Sequence, residues 1–268
     1  MFTWLRNRRR RKLLEEPFPP WWEQILRRNV GHYPRLSAAE QGTLRDILRV
    51  LVAEKRWEGC GGLFVTDEIK VTVAAQAALL LLGGADHDYY ARVGSVVVYP
   101  NQFRTPNPDD DWEDDELSDT VLDGQAVYRG PVILSWSEVL EEGRHPECGY
   151  NVVVHEFAHQ LDFLDDTVNG TPPLEDKALA AKWGPVMSAA YQDHVKLLEA
   201  GEEPFFTEHA ADDETEFFAD ACEAFFTRPH DLEAECPGVF ELLRGYFKLD
   251  PRRWFPAGES PPVATGGL

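Results

Sequence analysis

The feature that most restricts this chain is the run at 151–162, Asn-Val-Val-Val-His-Glu-Phe-Ala-His-Gln-Leu-Asp. Between Asn151 and Asp162 only Glu156 carries a charge, and a solvated helix does not place Val152, Val153, Val154, Phe157, Ala158 and Leu161 so close together. The segment therefore reads as a helix passing through a core, with two imidazoles and a carboxylate inside it. Residues four apart share a helix face, so His155 and His159 can aim ring nitrogens at one ion while Glu156 projects beside them. The ordinary alternative is two histidines satisfied by hydrogen bonds within a core helix.

His-Glu-x-x-His on a helix is the spacing of zinc peptidases, in which the glutamate serves as general base. Catalytic zinc takes three protein ligands and keeps a fourth position for water, so a further ligand must come from elsewhere. Downstream candidates are Glu208, His209, Glu214, Glu216, Asp220 and Glu223. Glu216 falls in the first turn of a predicted helix, with Asp220 and Glu223 one and two turns on along the same face. Glu216 could equally complete a capping box with Asp213. Acidic groups set among Phe217, Phe218, Phe225 and Phe226 need partners if they are buried, and a metal site would supply them.

Charge narrows the function further. Among 268 residues, 26 Lys and Arg against 47 Asp and Glu give −21; six of the cations and none of the acids lie in residues 1–12, which leaves −27 on the remainder. So acidic a body repels phosphate backbones, and direct nucleic-acid binding is not expected. No stretch approaches the roughly 20 apolar residues of a membrane span. Leu13-Leu14 runs straight into Glu15-Glu16-Pro17, leaving no room for a secretory h-region. Cys60, Cys148, Cys222 and Cys236 form no C-x-x-C pair, which suits reduced thiols in the cytoplasm.

Residues 1–20 read as a basic, disordered arm and 256–268 as a disordered Pro/Gly-rich tail, leaving one folded domain at 21–255. Ser37-Ala-Ala-Glu40 is a capping-box signature opening a helix to about Lys55. After Gly59-Cys60-Gly61-Gly62, Leu63–Val65 is a strand candidate and Val71–Leu82 a buried helix. Ser95–Tyr99 and Pro131–Ser135 read as strands, and an acidic loop, 109–116, lies between them without the ligand order of an EF-hand. Helices are expected at about 150–164, 175–199, 214–227 and 238–247. Strands early and helices late make an α+β order that does not alternate as a doubly wound sheet would.

The sequence resembles the MtfA (Mlc titration factor A) family, bacterial cytosolic zinc peptidases whose core is similar to the catalytic domain of anthrax lethal factor. The resemblance runs through Glu54-Lys55-Arg56, Gly61-Gly62, Val98-Tyr99-Pro100, Trp112-Glu113-Asp114-Asp115, Gly130–Trp136, Asn151–Asp162, Glu216-Phe217-Phe218-Ala219 and Glu223-Ala224-Phe225-Phe226. It implies a zincin-like (gluzincin) core with a helical amino-terminal portion. It also implies one Zn2+ per chain held by His155, His159 and Glu216, with Glu156 as general base. Seven residues before the glutamate ligand, where the family usually carries an oxyanion-stabilising tyrosine, this chain has His209. An imidazole N–H can take that role; His209 as a fourth ligand or a spectator are the alternatives. Asp220, Asp162 and Asp166 compete as the carboxylate orienting a ligand histidine, and Pro131–Ser135 is a candidate edge for pairing with an extended peptide. The implied partners are a peptide or protein substrate or, in a regulatory reading, a Mlc-like transcriptional repressor that the protein sequesters.

Overall fold

Local signals set the first helices. A computed structural model describes residues 2–84, 88–103 and 122–255, and begins with α1 (Phe2–Glu15), α2 (Pro20–Asn29) and α3 (Ala38–Glu54). At the start of α3 the Ser37 side chain accepts from the Glu40 amide while the Glu40 carboxylate accepts from the Ser37 N–H at 2.8 Å. The predicted capping box is thus reciprocal, and the stripe that follows it, Leu44, Ile47, Leu48 and Leu51, is buried.

The basic arm departs from the expectation of disorder. It forms α1, held by one arginine on each partner. Arg10 is 8% exposed; its guanidinium reaches the Glu54 carboxylate at 2.6 and 2.7 Å and Asp88 at 2.7 Å, with its face over the Tyr89 ring. Arg49 of α3 donates to the carbonyls of Leu13, Leu14 and Glu16 at the carboxyl end of α1. Carbonyls at a helix end lack the i+4 amides that would otherwise satisfy them, so an arginine fork there stabilises the end. Both interactions bridge more than thirty residues of sequence, which local composition cannot reveal.

A small sheet follows, built from β1 (Arg56–Gly59), β2 (Ser95–Tyr99), β3 (Gly124–Ala126) and β4 (Val132–Ser135), with α4 (Asp67–Leu79) between β1 and β2. Its order is β1-β2-β4-β3; the first three are parallel and β3 runs antiparallel to β4. Two expectations are corrected here. The strand expected at Leu63–Val65 lies instead at Arg56–Gly59. After the Cys60 N–H donates to the Val98 carbonyl at 2.9 Å, Gly61 and Gly62, at φ +58° and +82°, turn the chain off the sheet and leave Phe64 88% exposed. Likewise β4 is interior rather than an edge: Ile133 is paired with both Val97 and Gln125, so β3 closes the sheet on that side among the described residues.

The carboxyl-terminal half is helical: α6 (Val152–Asp162), α7 (Lys177–Glu199), α8 (Glu214–Thr227) and α10 (Pro237–Phe247) fall where the residues predict, while α5 (Trp136–Arg144) and α9 (Pro229–Glu235) are not among the expected helices. The result is a mixed α+β body, mostly helical. Helix α6 packs between α8 on one side and β3 and β4 on the other. One continuous core runs from Ile25 to Phe255 and includes Val153, Val154, Phe157 and Leu161 of α6 with Phe217, Phe218, Phe225 and Phe226 of α8. The acidic run 109–116 and the tail 256–268 lie outside the described residues.

Candidate metal centre

Helix α6 is fixed at its amino terminus before it presents any chemistry. The Asn151 side chain accepts from the Val154 amide at 2.9 Å, and the Glu142 carboxylate of α5 accepts from the Val152 amide at 2.6 Å. One turn in, His155 and His159 stand one above the other, ring centroids 5.0 Å apart. On α8, Asp213 caps the helix by accepting from the Thr215 and Glu216 amides at 2.7 and 2.9 Å. The cap places Glu216 in the first turn, facing α6. The predicted capping residue is therefore Asp213 alone, which leaves the Glu216 carboxylate free for the site.

Three imidazoles converge on that carboxylate. Glu216 Oε2 lies 3.1 Å from His155 Nε2, 3.3 Å from His159 Nε2 and 3.1 Å from His209 Nε2. His155, His209 and Glu216 offer ligand atoms all within 4.8 Å of one another, and His159 shares the same carboxylate oxygen. His209 arrives on a single turn, Glu208–Ala211, and is 58% exposed, whereas His159 is 6% exposed. Its ring stacks on His155 at 6.1 Å.

The outward nitrogens have their own partners. His155 Nδ1 faces Asp220 Oδ1 at 3.4 Å, and Asp220 Oδ2 is held by the amide and hydroxyl of Thr207 at 3.1 and 2.6 Å. His209 Nδ1 is 2.6 Å from Asp212. His159 Nδ1 is buried with no hydrogen-bond partner. A carboxylate behind a histidine orients the ring and raises its basicity as a ligand. Of the three acids competing for that role, Asp220 faces a site histidine. Asp162 instead accepts the amides of Asn169, Gly170 and Thr171 at 3.1, 3.1 and 2.8 Å, and Asp166 pairs with Arg92 and Arg129.

The charges respond as such packing demands. Burial alone would lower the His155 pKa, but hydrogen bonds to Asp220 and Glu216 override it and hold the ring well above its ordinary value. Glu216 is held far below the usual carboxylate range: its burial is outweighed by hydrogen bonds from the three histidines. His209 is raised to about 9, chiefly by Glu216. Glu156, 5% exposed, is pushed up by burial. Its carboxylate sits beneath β3, where a Cβ on Gly124 would lie 2.5 Å from Oε1. Two further acids belong to this layer, of which Glu223 was among the downstream candidates and Glu142 was not. Glu142 is pushed to about 8 and Glu223 to about 7, both first by burial. Glu223 was visible as a helix-face acid; Glu142, on a helix with no motif, carried no signal.

Imidazole nitrogens and a carboxylate oxygen form the borderline donor set that zinc prefers, and the outer carboxylates match the support such ligands take. The residues present therefore fit the implied metal. A partly buried donor cluster beside a desolvated carboxylate, on two packed helices and an adjoining turn, fits the class of metal-dependent hydrolases. Residues 4–248 match the glucose-regulated metallo-peptidase M90 family, and the chain belongs to that family. It is 31% identical over 247 residues to uncharacterized protein slr2042 of Synechocystis sp., spanning 91% of this chain and 89% of that protein. It is 28% identical over 267 residues to Mlc titration factor A of Yersinia enterocolitica, spanning 94% of each, and 27% identical to the Yersinia pestis protein of the same name, spanning 94% of this chain and 93% of that protein. Among the described residues no helix is long and apolar enough to cross a membrane.

Proposed function

We propose that the protein is a zinc-dependent peptidase of gluzincin type, acting in the cytoplasm on a peptide or protein substrate through one folded domain that takes in α1 together with 21–255. The observation that carries this reading is the convergence of three imidazole Nε2 atoms within 3.3 Å of one Glu216 oxygen, beside buried Glu156. His155, His159 and Glu216 would hold one Zn2+. When bound, the ion lowers the pKa of a water molecule and polarises the scissile carbonyl.

The chain's own groups supply the rest. Glu156, made more basic by burial, takes a proton from the attacking water and delivers it to the leaving amine. His209, held through Nδ1 by Asp212, would donate from Nε2 to the oxyanion in its protonated form. An extended peptide pairs along β3, the outermost strand of the sheet among the described residues and the one above Glu156, in place of the β4 edge first considered.

A second reading rests on one distance. His209 Nε2 approaches Glu216 Oε2 as closely as His155 Nε2 does, at 3.1 Å. His209 as a fourth ligand would close the metal and make the site gated or structural, with the protein acting by sequestering a Mlc-like repressor. The relatives named Mlc titration factor A give this reading its partner.

Metal analysis paired with hydrolysis of fluorogenic peptides and amino-acid anilides separates the two. Near-stoichiometric zinc in wild type and Glu156→Gln, with cleavage lost only in the variant, is expected. Zinc in both with cleavage in neither, restored by His209→Tyr, would favour the closed site. Absence of zinc would overturn the assignment.

A further inference from the structure

Helix α1 is tied down on one face and unpartnered on the other. Between Trp4 and Leu14 its covered residues are Arg6, Arg10, Leu13 and Leu14. Arg6 and Arg10 pair with Asp88, Arg10 also pairs with Glu54, and the helix lies on α3. Residues four apart share a helix face, so Trp4, Arg8 and Lys12 stand one above another on the opposite side, flanked by Leu5, Arg9 and Arg11. All six are exposed, Trp4 by 60% and Leu5 by 43%, and the Arg8 guanidinium lies 5.7 Å over the Trp4 ring.

The outward cations differ from those on the rest of the molecule. In so acidic a chain, arginines elsewhere find carboxylates: Arg27 and Arg45 share Glu23, and Arg92 and Arg129 share Asp166. Arg8, Arg9, Arg11 and Lys12 pair with no acid among the described residues. The acids next to them in sequence, Glu15 and Glu16, follow at the carboxyl end of the helix, and Glu54 and Asp88 are already taken by Arg10 and Arg6.

Four unpaired cations within about 8 Å of helix axis attract an anionic surface. The −27 on the remainder does not cancel that attraction, because charges more than a Debye length of about 8 Å from the surface are largely screened. Trp4 and Leu5 then discriminate among anionic partners. A phosphate backbone offers nothing to an exposed leucine at the end of a cationic row. A lipid interface takes the indole at the level of the headgroups and the aliphatic side chain beside it.

We propose that the outer face of α1 docks the protein on an anionic phospholipid membrane, with Arg8, Arg9, Arg11 and Lys12 on the headgroup phosphates and Trp4 and Leu5 in the interface. Such binding is peripheral and reversible, since a polybasic patch with two apolar side chains falls far short of a spanning helix. The face contains none of the candidate metal ligands, and the inference does not rest on the peptidase reading.

The test is flotation of the full-length protein with vesicles of equal parts phosphatidylglycerol and phosphatidylcholine, and with vesicles of phosphatidylcholine alone. Binding to the anionic vesicles only is expected. Raising the salt from about 0.1 M to about 1 M cuts the Debye length from about 10 Å to about 3 Å and should release the protein. Each cation near such a surface is worth about fivefold, so changing Arg8, Arg9, Arg11 and Lys12 together to Gln should weaken binding by more than about 100-fold. Glutamine has a helix propensity close to that of Arg and Lys, and Arg6 and Arg10 stay in place, so α1 persists; unchanged protease resistance of residues 1–16 checks this. Trp4→Ala keeps every charge and should weaken binding by roughly tenfold through lost apolar burial. Failure of the wild type to float with anionic vesicles, equal binding to phosphatidylcholine alone, or undiminished binding by either folded variant would overturn the proposal. So would release by excess free glycerol phosphate, which would mark a phosphate site, or by single-stranded RNA, which would assign the face to nucleic acid.

Discussion

Gly124→Ala tests whether β3 and Glu156, the proposed general base, are coupled as closely as the geometry implies. A methyl group there would lie 2.5 Å from Glu156 Oε1, 2.8 Å from Glu156 Cγ and 2.6 Å from Val152 Cγ2. An ordinary contact begins at 3.4 Å, so the Glu156 carboxylate must retreat by about 0.9 Å, or β3 must lift by a similar amount. Displacement of a reacting group by about 1 Å is worth roughly 100-fold in rate, and overpacking of this kind costs about 1–3 kcal/mol of stability. The three atoms nearest the methyl belong to Glu156 and Val152 and none to His155, His159 or Glu216, so zinc content should not change. The assay is steady-state hydrolysis of the best fluorogenic peptide, with metal content and thermal unfolding measured on the same preparation. A fall in kcat/KM of tens to about 100-fold, carried mainly by kcat, with zinc retained, is the expected result. A variant with wild-type kcat/KM would refute both the placement of Glu156 and its role as base.

Other consequences can be checked with simpler measurements. Glu142 is largely but not fully buried and desolvation raises its pKa from 4.5 to about 8, so the unfolded chain releases this proton first as pH rises; stability is therefore lost between about pH 4.5 and 8, by an amount on the order of a few kcal/mol. Glu142→Gln removes that loss, and denaturant curves at pH 5, 7 and 9 should show the variant gaining on wild type as pH rises; parallel curves would count against the burial. Asp220→Asn removes the charge behind His155 but leaves an acceptor for Thr207, so chelator competition should report zinc affinity lower by about 10–100-fold. An unchanged affinity would mean that Asp220 does not tune the ligand. Arg10→Ala cuts the ties of α1 to Glu54 and Asp88; because those acids are partly exposed, about 1–2 kcal/mol is expected, with limited proteolysis starting in residues 1–16. Equal protease resistance would show that α1 is held by other contacts.

What the sequence determined by itself is what short-range physics controls. The cap at Ser37, the stripe behind it, the apolar helix around His155 and His159 and the Asp213-capped helix bearing Glu216 are each specified within a few residues, and each forms where the pattern predicts. Local periodicity and capping act over one or two turns, and a sequence displays both. Tertiary structure decided the rest. Nothing near Arg10 announces Glu54 or Asp88, so a basic arm that looks unable to fold becomes α1. The same holds for which strand is the edge, because β3 precedes β4 in the chain yet lies outside it in the sheet. The site divides along this line as well. The helix spacing makes His155, His159 and Glu156 legible, but the junction of α6 with α8 and the turn Glu208–Ala211 brings Glu216, His209 and Asp220 around them. Burial by distant elements then sets the charges of Glu142, Glu156 and Glu223, since desolvation belongs to a position in the folded core and not to a residue in a string.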